Sequence, residues 1–94
     1  MSGLMEDCEV KTLFKVDGRR EYRWTVKPVR TLPNSGAQPD IRCMHCQGRI
    51  RVHKQHVAHG PADHVEHLAH EDSVHCRGGH YFAGDHRLST NPVG

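Results

Sequence analysis

Two cysteines three positions apart are the residues best suited to chemistry in this chain. They are the ends of the run Cys43-Met44-His45-Cys46. A Cys-x2-Cys turn lets two thiolates reach one tetrahedral ion and aims backbone N–H groups at their sulfur atoms. Gly48 follows, at a position where we expect a positive φ that favours glycine. A strand beginning at Arg49 would complete a zinc knuckle, so the pattern predicts a structural zinc ion.

Two other uses of this cysteine pair fit the neighbouring residues poorly. Covalent haem attachment requires a histidine directly after the second cysteine, and Gln47 stands there instead. A thioredoxin-type redox pair lies at the start of a helix, whereas Gln47-Gly48-Arg49 is a poor helix start. Zinc binding is therefore favoured over a haem site and a redox dithiol.

Two further ligands must come from downstream of the knuckle. Cys76 is the only remaining thiol on that side, since we expect Cys8 to be a free thiol. His67 lies nine residues before Cys76 and leaves a loop of suitable length, with His64 as the alternative. The other eligible histidines are His70, His75 and His80. The predicted zinc ligands are thus Cys43, Cys46, His67 and Cys76, with His64 as the alternative fourth ligand.

The knuckle and the segment Asp63-His64-Val65-Glu66-His67 together resemble the zinc-binding N-terminal region of competence CoiA-like proteins. In that family a Cys-x2-Cys knuckle precedes a His-Phe-x-His segment, and Val65 here replaces the aromatic residue. The match covers about a quarter of the chain. The resemblance implies that Cys43, Cys46, His64 and His67 lie near the metal, in a DNA-related setting. It does not imply nuclease activity.

Enzymatic motifs are weak or missing. The run Asp63-His64-Val65 is similar to a strand of HNH endonucleases, but the second cysteine pair of that pattern is absent. There is no His-Glu-x-x-His, and the cysteine pair precedes the histidines, opposite to the order in zinc deaminases. Thiolate-rich coordination also lowers the Lewis acidity of the ion. We therefore predict that the chain is not an enzyme and takes no small-molecule substrate, with a degenerate HNH-type nuclease as the least favoured alternative.

Composition explains why a metal would be needed. The chain has 94 residues, of which 35% are hydrophobic and 5% aromatic. So small and polar a domain buries too little surface to be stable without disulfides or a metal. Residues 1–10 contain no apolar targeting run, which predicts a cytoplasmic protein with reduced thiols. No stretch approaches the roughly 20 apolar residues of a membrane span, so no membrane association is expected.

Charge is distributed unevenly along the chain. Residues 1–60 hold 11 Lys and Arg against 6 Asp and Glu, whereas residues 61–94 hold 2 against 5. Basic residues interleaved with Tyr22 and Trp24 predict contact with nucleic acid through phosphate binding and base stacking. The resemblance to CoiA-like proteins implies DNA rather than RNA. The alternative is a zinc-stapled subunit that binds a protein partner or responds to metal, with the surplus of ten histidines holding a second ion.

The residues before the knuckle predict a β-hairpin over 10–26. Residues 10–16 and 21–26 have strand patterns, and Asp17-Gly18 supplies turn chemistry between them. We expect a loop of three to five residues and a register that sets Lys15 against Glu21. That register also sets Phe14 against Tyr22, Thr12 against Trp24 and Val10 against Val26.

The rest of the chain predicts one small domain, 1–94, of the α+β class and mostly β. Residues 27–40 are expected to be a loop and 41–82 the zinc-binding region. That region would hold a strand from Arg49, a turn at Gly60-Pro61, a returning strand to complete a second short hairpin, and at most one short helix. Residues 87–94 are expected to be a tail.

Overall fold

A computed structural model describes residues 5–33, 38–54, 60 and 62–94. The elements in chain order are β1 (Asp7–Val16), β2 (Arg19–Pro28), a 3-10 turn (Val29–Thr31), β3 (Ile41–Arg42), β4 (Ile50–His53), β5 (His64–His67) and α1 (His70–Val74). The fold class is confirmed as mostly β, with two small sheets and a single short helix among the described residues. No helix in these ranges is long and apolar enough to cross a membrane.

The N-terminal hairpin is longer than predicted and closes more tightly. Its strands pair antiparallel, from Asp7 with Pro28 at the open end to Val16 with Arg19 at the turn. β2 therefore includes the first two residues of the predicted loop 27–40. The loop between the strands is two residues long, Asp17 at φ 49 and Gly18 at φ 78. Two left-handed residues match the twist of the flanking strands, and Asp and Gly both tolerate that conformation.

The predicted register of this hairpin was wrong by one residue. Phe14 faces Glu21 rather than Tyr22, and Lys15 faces Arg20. The cause is the turn, because closing it with two residues instead of a longer loop shifts every later pair by one position. As a result the side chains of β2 change their partners across the hairpin.

The shifted register moves Tyr22 and Trp24 away from the core. Cys8 and Val10 are buried at 0% and 5% exposure on one face of β1. Trp24 lies opposite Lys11, and Tyr22 opposite Leu13, on the other face. The aromatic face of the hairpin is therefore separate from the face that packs against the rest of the domain.

β3 joins the knuckle to the hairpin. It extends the sheet in the order β2-β1-β3, with Glu9 opposite Arg42 and Val10 opposite Ile41. The Arg42 Nε lies 2.9 Å from Glu9 Oε1, and the guanidinium lies 4.1 Å from the centre of the Trp24 ring. The residue just before Cys43 is thereby held at the sheet surface.

The C-terminal segment 87–94, predicted as a tail, is largely exposed but hydrogen-bonds to the knuckle. Ser89 N–H donates to Cys46 O, and Val93 N–H donates to Gln47 O, each at 2.8 Å. The Val93 carbonyl accepts from Arg42 Nη1 at 2.8 Å. These contacts are between residues about 50 positions apart, so no local sequence pattern announces them.

The second hairpin carries two different faces. Ile50 lies opposite His67 and Val52 opposite Val65, and these pairs face the core. Arg51 with Glu66 and His53 with His64 lie on the other face. The predicted second short hairpin is confirmed, while the turn predicted at Gly60-Pro61 falls partly outside the described residues, as does part of the loop 27–40.

The core is small and built around thiols. Its buried members are Met5, Cys8, Val10, Val29, Leu32, Cys43, Cys46, Ile50, Val65 and Cys76. Since little apolar surface is removed from water, hydrophobic burial alone leaves a thin margin of stability.

Candidate metal centre

Four side chains from three parts of the chain converge on one point. Ligand atoms of Cys43, Cys46, His67 and Cys76 all lie within 4.8 Å of one another. Cys43 Sγ is 3.6 Å from Cys76 Sγ, and Cys46 Sγ is 3.4 Å from His67 Nε2. A tetrahedral zinc ion would separate two sulfurs by about 3.8 Å, and a sulfur and a nitrogen by about 3.6 Å. The four residues could therefore hold a metal ion.

The knuckle is closed by backbone hydrogen bonds. Gln47 N–H donates to Cys43 O at 2.9 Å, and Cys43 N–H donates to Gly48 O at 3.0 Å. Two further N–H groups point at the sulfurs: His45 N lies 3.4 Å from Cys43 Sγ, and Gly48 N lies 3.4 Å from Cys46 Sγ. Such donors stabilise negative charge on sulfur, which is the form that binds metal.

The expected reason for Gly48 was wrong. The positive φ in the knuckle belongs to Gln47, at 63°, and Gly48 is not among the residues in the left-handed region. A Cβ at Gly48 would lie 2.5 Å from Asp72 Oδ2 and 3.2 Å from Cys46 Sγ. The constraint at Gly48 is therefore one of space, because a Cβ would press on the Asp72 side chain of α1 and displace it.

A second turn of similar design presents Cys76. Helix α1 ends where His75 N–H donates to Glu71 O, and the chain then turns so that Gly78 N lies 3.4 Å from Cys76 Sγ. A Cβ at Gly78 would meet Met5 Sδ at 2.5 Å. This turn was not predicted from the sequence. The signal was the repeated Cys-x-Gly pattern, Cys46-Gln47-Gly48 and Cys76-Arg77-Gly78.

His67 and His64 point to opposite faces of β5. His67 shares the core face with Val65 and reaches the thiol cluster. His64 faces the other way: its Nδ1 lies 2.7 Å from Ala62 O, and its ring stacks on His53 with centroids 5.0 Å apart. Residues three apart in a strand alternate sides, so the alternative fourth ligand His64 lies outside the cluster.

The remaining candidates also lie outside the group. His70 and His80 pack against the ring of Tyr81, with centroids 4.9 and 4.8 Å away, and His75 ends the helix. Cys8 is fully buried as a free thiol. Burial, followed by the charge of Asp7, raises the pKa of Cys8 to about 11. The thiol therefore stays protonated at neutral pH and is unreactive.

Within the cluster, negative charge is favoured on the sulfur of Cys43. Hydrogen bonds from Cys46 and then Cys76 lower the pKa of Cys43, whereas hydrogen bonding with Cys43 and then Cys76 raises the pKa of Cys46. Burial alone would lower the pKa of His67, but hydrogen bonds to Cys43 and Cys76 outweigh it and raise that pKa to about 9. The protein thus gathers anionic donors where a cation would replace the shared protons.

Four protein side chains surround this point, enough to fill a tetrahedral site. The three sulfurs are buried at 0 to 1% exposure. A catalytic zinc site keeps one position open for water or substrate, whereas a structural site is closed by four protein ligands. The arrangement therefore has the chemistry of a structural site.

Comparison with known proteins gives a family assignment. A protein-family model matches residues 2–94, which includes the hairpin, the knuckle, β5 and the Cys76 turn. No curated protein and no solved structure matches the chain. Because the matched range is nearly the whole chain, the protein belongs to the family that this model describes.

Proposed function

We propose that the protein is a small binding module stapled by one structural zinc ion. The observation that carries this is the convergence of three thiols and one imidazole within 4.8 Å. Soft thiolate and imidazole donors in tetrahedral array suit zinc, whereas carboxylates and carbonyls suit magnesium and calcium. With four protein ligands the site has no place for substrate, so we propose no enzymatic role.

The ion would join residues that come from three separate parts of the chain. The knuckle follows β3, His67 ends β5, and Cys76 follows α1. Metal binding would thus tie both sheets and the helix together. Because the apolar core is small, we expect folding of residues 41–82 to be coupled to metal binding, as in zinc-finger domains.

Cobalt substitution tests the ligand set directly. Cobalt(II) in a tetrahedral site with three thiolates gives intense ligand-field bands and a sulfur-to-metal charge-transfer band. We expect both at one equivalent of cobalt, followed by their loss on adding zinc, which binds more tightly at thiolate sites. An octahedral cobalt spectrum, or bands that persist when His67 and Cys76 are replaced together, would contradict the assignment.

We further propose nucleic acid as the partner, contacted by the basic residues of the hairpin sheet, and DNA rather than RNA. The excess of cations lies in residues 1–60. Lys15, Arg19 and Arg20 are exposed at the hairpin tip. The resemblance to CoiA-like proteins agrees with a DNA-related setting, and reduced thiol ligands suit the cytoplasm.

One observation favours the alternative of a metal-responsive subunit. On the outer face of β4 and β5, His53 Nε2 lies 3.0 Å and His64 Nε2 lies 3.5 Å from the carboxylate of Glu66. Two imidazoles and a carboxylate are suitable ligands for a second ion. Titration separates the alternatives, since a structural module saturates at one equivalent of zinc and a metal-responsive subunit binds more.

A further inference from the structure

One face of the N-terminal hairpin combines exposed apolar rings with cations. Side chains alternate along each strand, so the partners that lie opposite one another share a face. We call this surface the aromatic–basic face, and it consists of Lys11, Leu13, Lys15, Arg20, Tyr22 and Trp24. It is the face directed away from buried Cys8 and Val10.

The outer end of this face carries a repulsive pair. Lys15 and Arg20 lie directly opposite each other across the hairpin, and both are exposed. Within the described ranges, neither residue forms an ion pair. Like charges in this arrangement destabilise a hairpin. Their placement costs stability, which points to an anionic ligand that would relieve the repulsion.

Tyr22 lies beside this pair as an open platform. Its side chain is 64% exposed, and Leu13 directly opposite is 45% exposed. The Lys11 ammonium lies 5.5 Å from the centre of the Tyr22 ring. Trp24 is less accessible because Arg42 covers its ring at 4.1 Å. A planar ligand therefore has one available aromatic surface, that of Tyr22, flanked by cations.

The acidic residues near the aromatic–basic face do not pair with its three cations, Lys11, Lys15 and Arg20. Glu9 is engaged by Arg42 at 2.9 Å, in a pair that is nearly buried. Asp40 lies at the edge, where its carbonyl accepts from Lys11 N–H at 2.9 Å. Among the described residues no carboxylate forms an ion pair with Lys11, Lys15 or Arg20, so these three cations can face a ligand of opposite charge.

We propose that the aromatic–basic face binds single-stranded nucleic acid, with a base stacked on Tyr22 and adjacent phosphates contacted by Lys11, Lys15 and Arg20. This rests on the proposed nucleic-acid partner and names its form. The bases of a duplex are already stacked on one another, so a flat face with a ring at its centre cannot reach their π surfaces. In a single strand the bases turn outward and can cover both Tyr22 and Leu13.

The test uses the zinc-loaded full chain and fluorescence anisotropy. The probes are a labelled oligothymidylate and a labelled duplex of the same length. We expect the single strand to bind more tightly than the duplex. With three phosphate contacts, log K should fall with log salt with a slope of about −2. Tyr22→Ala should weaken binding about 10-fold, which is the usual loss of one stacked base, and Tyr22→Phe should restore it.

Two further variants separate stacking from general damage. Val26→Ala removes another exposed apolar side chain, 58% exposed on the same face of β2, and should leave binding unchanged. Lys15→Gln removes the repulsion with Arg20, so it should raise Tm while weakening binding and reducing the salt slope by about 0.7. If Lys15 had only a structural role, its replacement would not raise Tm and weaken nucleic-acid binding at the same time.

The possible outcomes distinguish the single-strand inference from the proposal of a nucleic-acid partner on which it rests. Equal binding of duplex and single strand, or wild-type binding by Tyr22→Ala, would overturn the single-strand inference and leave nucleic acid as the partner. Absence of binding to either probe at low salt would overturn both. A loss of binding through Val26→Ala as large as that through Tyr22→Ala would overturn the single-strand inference alone, because it would show that general loss of apolar surface, and not base stacking, weakens binding. The zinc stoichiometry, measured on the same samples, decides the metal proposal separately.

Discussion

Replacing Cys46 by serine should remove about a quarter of the stabilisation that zinc provides. Cys46 is 1% exposed, and its Sγ lies 3.4 Å from His67 Nε2, so the thiol is shielded from solvent and is part of the cluster. Structural zinc contributes about 10–16 kcal/mol in finger peptides, or about 3 kcal/mol for each of four ligands. A loss of that size raises the dissociation constant for zinc roughly 150-fold. It is also a large share of a domain stability of about 5–15 kcal/mol.

The assay is competition for zinc with a chromophoric chelator, paired with an NMR spectrum of each variant. We expect Cys46→Ser to lose zinc to the chelator and to lose signal dispersion in residues 62–94. Cys8→Ser is the matched control, because Cys8 is equally buried at 0% exposure and lies outside the cluster. It should cost about 1–3 kcal/mol from a buried hydroxyl but retain wild-type zinc affinity. A well-dispersed spectrum of metal-free Cys46→Ser would refute the reasoning.

Four other substitutions test separate parts of the account. Gly48→Ala should cost about 1–3 kcal/mol of unfolding free energy by overpacking against Asp72, and unchanged denaturant unfolding would contradict the close approach. His67→Ala should lose tight zinc binding while His64→Ala keeps one zinc per chain by elemental analysis; the reverse result would exchange their roles. Lys54→Met should lower Tm and cost about 2 kcal/mol, because its Nζ donates to two backbone carbonyls within 3.0 Å; a calorimetric scan identical to wild type would exclude that role.

Local patterns were enough to predict the pieces of the site. The Cys-x2-Cys spacing is readable because two thiols on one turn must share a neighbourhood. The strand of His67 was predictable as the return of a hairpin after the Gly60-Pro61 break, and Cys76 was the only thiol left downstream. Choosing His67 over His64 required knowing which face of β5 meets the core, and that depends on Ile50 and Val52 across the hairpin.

Features that depend on distant residues could not be predicted. The register of the first hairpin turned on whether Asp17 adopts a left-handed φ, a choice worth about 1–2 kcal/mol that a short polar side chain offsets. The role of Gly48 depends on Asp72 in the helix, 24 positions later. The pairing of Val93 with Gln47 likewise depends on tertiary contact, which overrides the polar composition that suggested a free tail.

The central claim is that one structural zinc ion holds the domain together. The most direct measurement is metal content per chain of the untagged protein by elemental analysis, combined with circular dichroism as a strong chelator is added. The account predicts one zinc per chain and unfolding as the metal is removed, with refolding when zinc is restored. A metal-free protein that is fully folded, or zinc that can be stripped with no change in the spectrum, would contradict it.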